Sequence, residues 1–124
     1  MLNLNQFQIA ARDAYVVAAL WSSTDDTGEP IDANYDANDI DPHTLDTMRI
    51  ECDQFISGYW SLIVQTAMTP EQCGHDFWLT RNHHGTGFWD RGYPDALGDA
   101  LTEAAHCESQ RDLYIGDDGK IYQA

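Results

Sequence analysis

Half of the tryptophan and half of the phenylalanine in this chain fall within 19 consecutive residues, GHDFWLTRNHHGTGFWDRG, numbered 74–92. Four of the nine glycines and three of the five histidines lie there too. Side chains of that bulk have to be buried, so the rest of the chain must be arranged around them. Two short aromatic runs, 77–80 and 87–90, flank the polar, turn-prone residues 81–86. That pattern reads as a β-hairpin. Strand alternation would put Phe77 and Leu79 on one face and Asp76, Trp78 and Thr80 on the other. Trp78 and Trp89 are expected in the core. Base stacking by such residues needs a positive groove, and this chain is strongly acidic.

The other elements are read from period and punctuation. Phe7, Ala11, Ala14, Tyr15 and Ala18 recur at helical steps, widened by Ile9, Val16, Val17 and Leu20, and predict a largely buried helix over 5–21. Asn3 or Asn5 is its cap. Asp41-Pro42 marks a second helix start. Its stripe runs from Leu45 to Thr66, which predicts one long helix over 42–67. Asp46, Arg49, Glu51 and Asp53 fall on its wet face, and Gly58 is read as a close packing contact. Thr69-Pro70-Glu71-Gln72 forms a capping box for a short helix that Cys73-Gly74 ends within about a turn. Pro94 opens a helix over 94–108, with Leu97, Leu101, Ala104, Ala105 and Cys107 inward. Residues 112–115 and 120–122 flank Gly116-Asp117-Asp118-Gly119 as a second hairpin. The fold class is therefore α+β: helices packed on a small antiparallel sheet made of two hairpins, in a single domain over 1–124.

Charge bounds the partners. Asp and Glu number 21 and Lys and Arg six, a formal net charge of −15. Such a chain repels nucleic acid and anionic membrane and is drawn to basic surfaces. Residues 22–41 carry seven acids and no base. They read as an exposed acidic loop, pinned by Ile31, Tyr35 and Ile40. The plainer reading is acid scattered for solubility. No apolar run approaches the ~20 residues of a membrane span. The N-terminus has no basic region ahead of an apolar run, so the expected location is the cytoplasm. Three cysteines, Cys52, Cys73 and Cys107, give no disulfide framework and are expected as thiols.

Residues 74–92 also hold the types needed for chemistry. His84 or His75 can serve as a general base, with Asp76 or Asp90 orienting it and Arg81 holding an anion beside Arg91. No nucleophile elbow, Walker loop or carboxylate pair accompanies them. The structural alternative pairs Arg81 and Arg91 with Asp76 and Asp90 as clasps. Cys73, His75, His106 and Cys107 make a conceivable zinc set, but their spacings are tighter than usual ligand pairs. Asp117-Asp118-Gly119 lacks the spacing and final Glu of a calcium loop. No metal or cofactor is expected.

One resemblance covers roughly 100 residues. It is carried by Ala19-Leu20-Trp21-Ser22-Ser23, Gly28-Glu29-Pro30, the 74–92 motif, Leu101-Thr102-Glu103-Ala104-Ala105 and Gly116-Asp117-Asp118-Gly119-Lys120. These residues resemble a family of small uncharacterised proteins of tailed bacteriophages and prophages. The chain departs from that pattern at His83, where the family has Gly, and around Cys107. The resemblance implies a phage accessory protein and no particular reaction. Joined to the charge, it leads to an expectation of nucleic-acid mimicry. The chain would bind and inhibit a basic nucleic-acid-handling or defence protein of the host, of the anti-CRISPR or anti-restriction type. The contact acids would be Asp25, Asp26, Glu29, Asp32, Asp36, Asp39 and Asp41 of the loop, with Asp46 and Asp53 of the long helix. One alternative is an enzyme or small-ligand or nucleotide binder centred on His75, Asp76, Arg81, His84 and Arg91. Another is a structural, virion-associated interaction protein.

Overall fold

Helix α1 spans Leu4–Ser22 and lies at the centre of a computed structural model that describes residues 2–124. Asn3 caps it in a full capping box with Gln6. The expected stripe is buried from Phe7 to Leu20, but Ile9 and Val17 are exposed, so the helix keeps one open side. The acidic segment that follows has two 3₁₀ turns, Ile31–Ala33 and Ala37–Asp39. Ile31 and Ile40 are buried and Tyr35 packs against the core, as the sequence predicts.

Helix α2, Pro42–Gly58, starts at the Asp41 cap. The single helix expected over 42–67 is interrupted. Gly58 closes α2, Tyr59 leaves helical geometry at φ −121°, and α3 resumes over Trp60–Thr66. Gly58 makes no close contact: a Cβ there would meet nothing within 4 Å. Its role is to weaken the helix where the chain turns. The turn carries α3 onto helix α5, Asp95–His106, and sets Trp60 edge-on to Phe7 at 5.1 Å.

The largest correction concerns residues 70–90. Thr69 and Gln72 form the expected capping box, but the helix runs on to Arg81 as α4, Pro70–Arg81. Phe77-Trp78-Leu79-Thr80 is therefore helical, and Phe88–Asp90 is a 3₁₀ turn, so the first hairpin does not form. Gly74 does not end the helix. It is the point where α4 lies against α1, because a Cβ there would come within 2.1 Å of the Ala11 carbonyl oxygen. From Asp76 to Arg81 every residue of α4 is buried. A helix surrounded on all sides shows no amphipathic period, which is why its aromatic run resembles a strand.

The second hairpin is present: β1, Leu113–Ile115, pairs antiparallel with β2, Ile121–Gln123, with Tyr114 opposite Tyr122. The sheet among the described residues thus has two strands, not four. Its free edge is tied to the end of the acidic segment by a bridge between Ile40 and Ile121 and by Asp41 N–H donating to the Ile121 carbonyl. The result is mostly helical with a small antiparallel sheet, an α+β arrangement in the coarse sense. The buried apolar side chains form one cluster, centred on stacked Phe55 and Phe77 with ring centroids 3.9 Å apart. No helix among the described residues is long and apolar enough to cross a membrane.

Candidate functional site

The residues singled out for chemistry separate into three places. Arg81, at the end of α4, is 1% exposed. Its Nε and Nη2 donate to the Ser109 carbonyl at 3.0 and 2.6 Å, and its Nη1 donates to the Tyr15 hydroxyl at 3.0 Å. Its guanidinium lies over the Phe77 ring, 5.1 Å from the centroid. Its charge partner is neither Asp76 nor Asp90, as expected, but Glu51 at 3.6 Å. A guanidinium enclosed on every side by its own protein is a structural tie and cannot hold a substrate anion.

Glu51 was placed on the wet face of α2 by the sequence pattern. It faces inward instead. It accepts three bonds from Arg111, at 3.4, 3.0 and 2.7 Å, and one from Gln123 at 2.8 Å. Burial alone pushes the carboxyl up, but the bonds from Arg111 and Gln123 and the charges of Arg81 and Arg111 prevail and hold it below the ordinary value. A carboxylate depressed in the folded state stabilises the fold above its unfolded pKa, about 4.3. That contribution is lost as pH falls through the lower folded value. Urea titrations at pH 7 and at pH 3 are therefore expected to show Glu51→Gln less stable than the parent at pH 7. The gap should narrow in acid.

Asp76 is fully buried on α4 and receives a fork from Arg91, Nε to Oδ2 at 2.9 Å and Nη2 to Oδ1 at 2.7 Å. This pairing is the clasp the sequence suggests, reached from a helix and not across a hairpin. His75 Nδ1 lies 3.2 Å from Asp76 Oδ1, and its ring stacks on Trp21 at 5.7 Å. His75, Asp76 and Arg91 thus do come together. Both Asp76 oxygens are already engaged by Arg91, so the group is first a clasp between α4 and the segment after the 3₁₀ turn. Asp90 accepts from Thr86 on the surface. Trp89 is 50% exposed, against expectation, while Trp78 is buried with its Nε1 donating to Ser22 Oγ at 2.8 Å.

His84 lies elsewhere. It lines a polar cleft of about 490 Å³ with Ser22, Thr24, Asn82, Arg111 and Asp112. His83 takes the left-handed conformation, φ 58°, at the end of α4, and its ring stacks on His106 at 4.2 Å. A non-glycine residue adopts that conformation at a cost that glycine does not carry. Among the described residues no three His, Cys, Asp or Glu side chains are grouped as a metal site, and the set Cys73, His75, His106 and Cys107 is not assembled. Cys52 and Cys73 are buried thiols; burial pushes Cys52 up to about 12 and Cys73 well up, so both are inert at neutral pH. Cys107, expected inward, is exposed.

The acids fall into two classes. Asp53 is locked on Arg12 by a fork at 2.9 and 2.7 Å and is not part of an open anionic surface. Asp25 accepts from the backbone of Thr27 and Glu29 and from the Thr27 hydroxyl, which hold its carboxyl below the ordinary value. Asp36 and Asp39 cap the second 3₁₀ turn, and Asp41 caps α2. These four order the loop through caps and turns of its own backbone. Asp26, Glu29, Asp32 and Asp46 are exposed.

The bases are distributed in the opposite way. Arg12, Arg81, Arg91 and Arg111 pair with Asp53, Glu51 and Asp76. Three of the 21 acids take four of the six bases, which leaves 18 acids against Arg49 and Lys120 among the described residues. The net charge is therefore carried by groups that face water. Comparison with protein-family models, with curated proteins and with solved structures finds no match.

Proposed function

We propose that this protein is an accessory protein of the phage type that docks on the nucleic-acid-binding surface of a basic host protein, a defence or nucleic-acid-handling enzyme, and blocks it. The observation that carries the reading is the fate of the bases: four of six are paired with acids of the fold. The exterior is left with a large excess of acid, because three of the arginines that reach water are already paired. Carboxylates held by a folded loop stand in for phosphates, and Asp25, Asp26, Glu29, Asp32, Asp36, Asp39, Asp41 and Asp46 form the contact set. The order imposed by the caps and turns of this loop reduces the entropy lost on docking.

The reading is tested on a partner captured from the host bacterium. The captured protein should bind DNA or RNA, and this chain should compete for the same site. Its affinity should fall on the order of 10³-fold between 50 and 200 mM salt, as counterions return to the basic surface. Replacing Asp25, Asp26, Asp32 and Asp36 by Asn should weaken the complex and flatten that salt slope, while His84→Ala changes neither. Salt-independent binding, or a partner whose nucleic-acid binding is undisturbed, refutes the proposal. Recovery of a small metabolite in place of a protein would move the function to the polar cleft at His84.

A further inference from the structure

Helix α1 leaves one side uncovered. Asp13, Val17 and Trp21 follow one another there at four-residue steps, with Val17 57% and Trp21 40% exposed. Residues four apart lie on one face of a helix, so these three form a ridge. Val17 lines two grooves. One, of about 300 Å³, is shared with Glu71, His75 and Arg91. The other, of about 170 Å³, is shared with Asp13, Ala37 and Leu45. Trp21 is held in place by its stack on His75. A fixed aromatic side chain loses little freedom on binding and is a good anchor.

The surroundings of the ridge decide what fits it. Arg91 is neutralised by Asp76. Asp13 and Glu71 have no ion pair among the described residues. Ala37 brings up the 3₁₀ turn capped by Asp36 and Asp39. Arg49, on the second groove, is the one basic side chain there without an acid partner among the described residues. Each groove thus holds one acid and one arginine, and the excess of acid comes from the adjoining turn at Asp36 and Asp39. An apolar centre beside that acidic turn complements a basic surface with an apolar side chain at its middle. A second copy is disfavoured, since each copy carries −15 and brings the same turn.

We infer that Val17 and Trp21 are the apolar anchor of the docking face, and that the partner surface presents an aliphatic or aromatic side chain among its lysines and arginines. This inference rests on the docking function proposed above. It adds what carboxylates alone do not supply, a fixed point that sets the register of the two surfaces.

Two polypeptides test it by calorimetry: poly-L-lysine, and a lysine–phenylalanine copolymer carrying the same number of lysines. The copolymer should bind at least tenfold more tightly. Trp21→Ala and Val17→Ser should bring it within about twofold of poly-L-lysine and leave the slope of log affinity against log salt unchanged. Both side chains are exposed, so circular dichroism should show the variants folded. The anchor is overturned if the copolymer has no advantage, or if both variants keep it. It is also overturned if sedimentation shows a dimer that Trp21→Ala abolishes. In those cases salt-dependent binding of poly-L-lysine leaves the anionic docking reading standing. Absence of that binding removes both.

Discussion

Arg81→Ala is expected to cost about 3–5 kcal/mol of folding stability, read from urea unfolding at neutral pH. Removing one member of a buried charged network leaves the others without partners, and that is the costly direction. Here the Ser109 carbonyl would lose two donors and the Tyr15 hydroxyl one. Burial pushes the Tyr15 phenol well above its ordinary value, so it stays a neutral hydroxyl whose buried oxygen is left without that donor. Glu51 would keep Arg111 and Gln123. Arg111→Ala, whose side chain is 33% exposed, is expected to cost less, because water can replace it. The network joins α1, α2, α4 and the hairpin, and a loss below about 1 kcal/mol for Arg81→Ala would show that these elements do not depend on it.

Gly74→Ala should be as damaging with a single methyl. Its Cβ would stand 2.1 Å from the Ala11 carbonyl oxygen and 3.0 Å from Ala11 C and Tyr15 N. All three are backbone atoms, so no side-chain rotation relieves the clash. α1 and α4 would have to move apart and loosen Tyr15 against Phe77, now 5.4 Å between centroids. A loss of at least about 3 kcal/mol is expected, at the upper end of overpacking costs. Gly98→Ala is the control. Its Cβ would meet the Phe88 carbonyl oxygen at an ordinary 3.5 Å, and in helix α5 alanine is favoured by roughly 0.5–1 kcal/mol. That variant should be neutral or more stable. Thermal melts of the pair separate backbone crowding from helix propensity.

Which parts of this fold could be read from sequence follows from what each residue faces. α1, α5 and the second hairpin carry their own signals: a one-sided apolar stripe, a proline start, an Asp-Gly turn. The caps at Asp41 and Thr69 are equally plain, and Asn3 is one of the two candidates the sequence offers for the first helix. α4 was illegible because it is enclosed. Its strand-like Phe77-Trp78-Leu79-Thr80 and its Gly74 both take their meaning from α1, 60 residues earlier. Arg81 carried the types of a ligand-holding site, and only tertiary structure shows that Tyr15 and Ser109 surround it. Glu51 was missed as a partner. It lies three residues after Met48 and four before Phe55, on the flank of the buried stripe, and that position was the available signal. Asp76 and Arg91 read as a pair from sequence, but a helix and the segment after a 3₁₀ turn bring them together where the sequence suggests a hairpin.

The arginines drawn into the ion pairs have one more consequence. An envelope of like charges strains the body that carries it, and dissolved cations relieve that strain by gathering at the surface. The same cations compete with any basic body that approaches. Added electrolyte therefore firms this molecule on its own and loosens its hold on others, so its sturdiest conditions are those in which it is least adhesive.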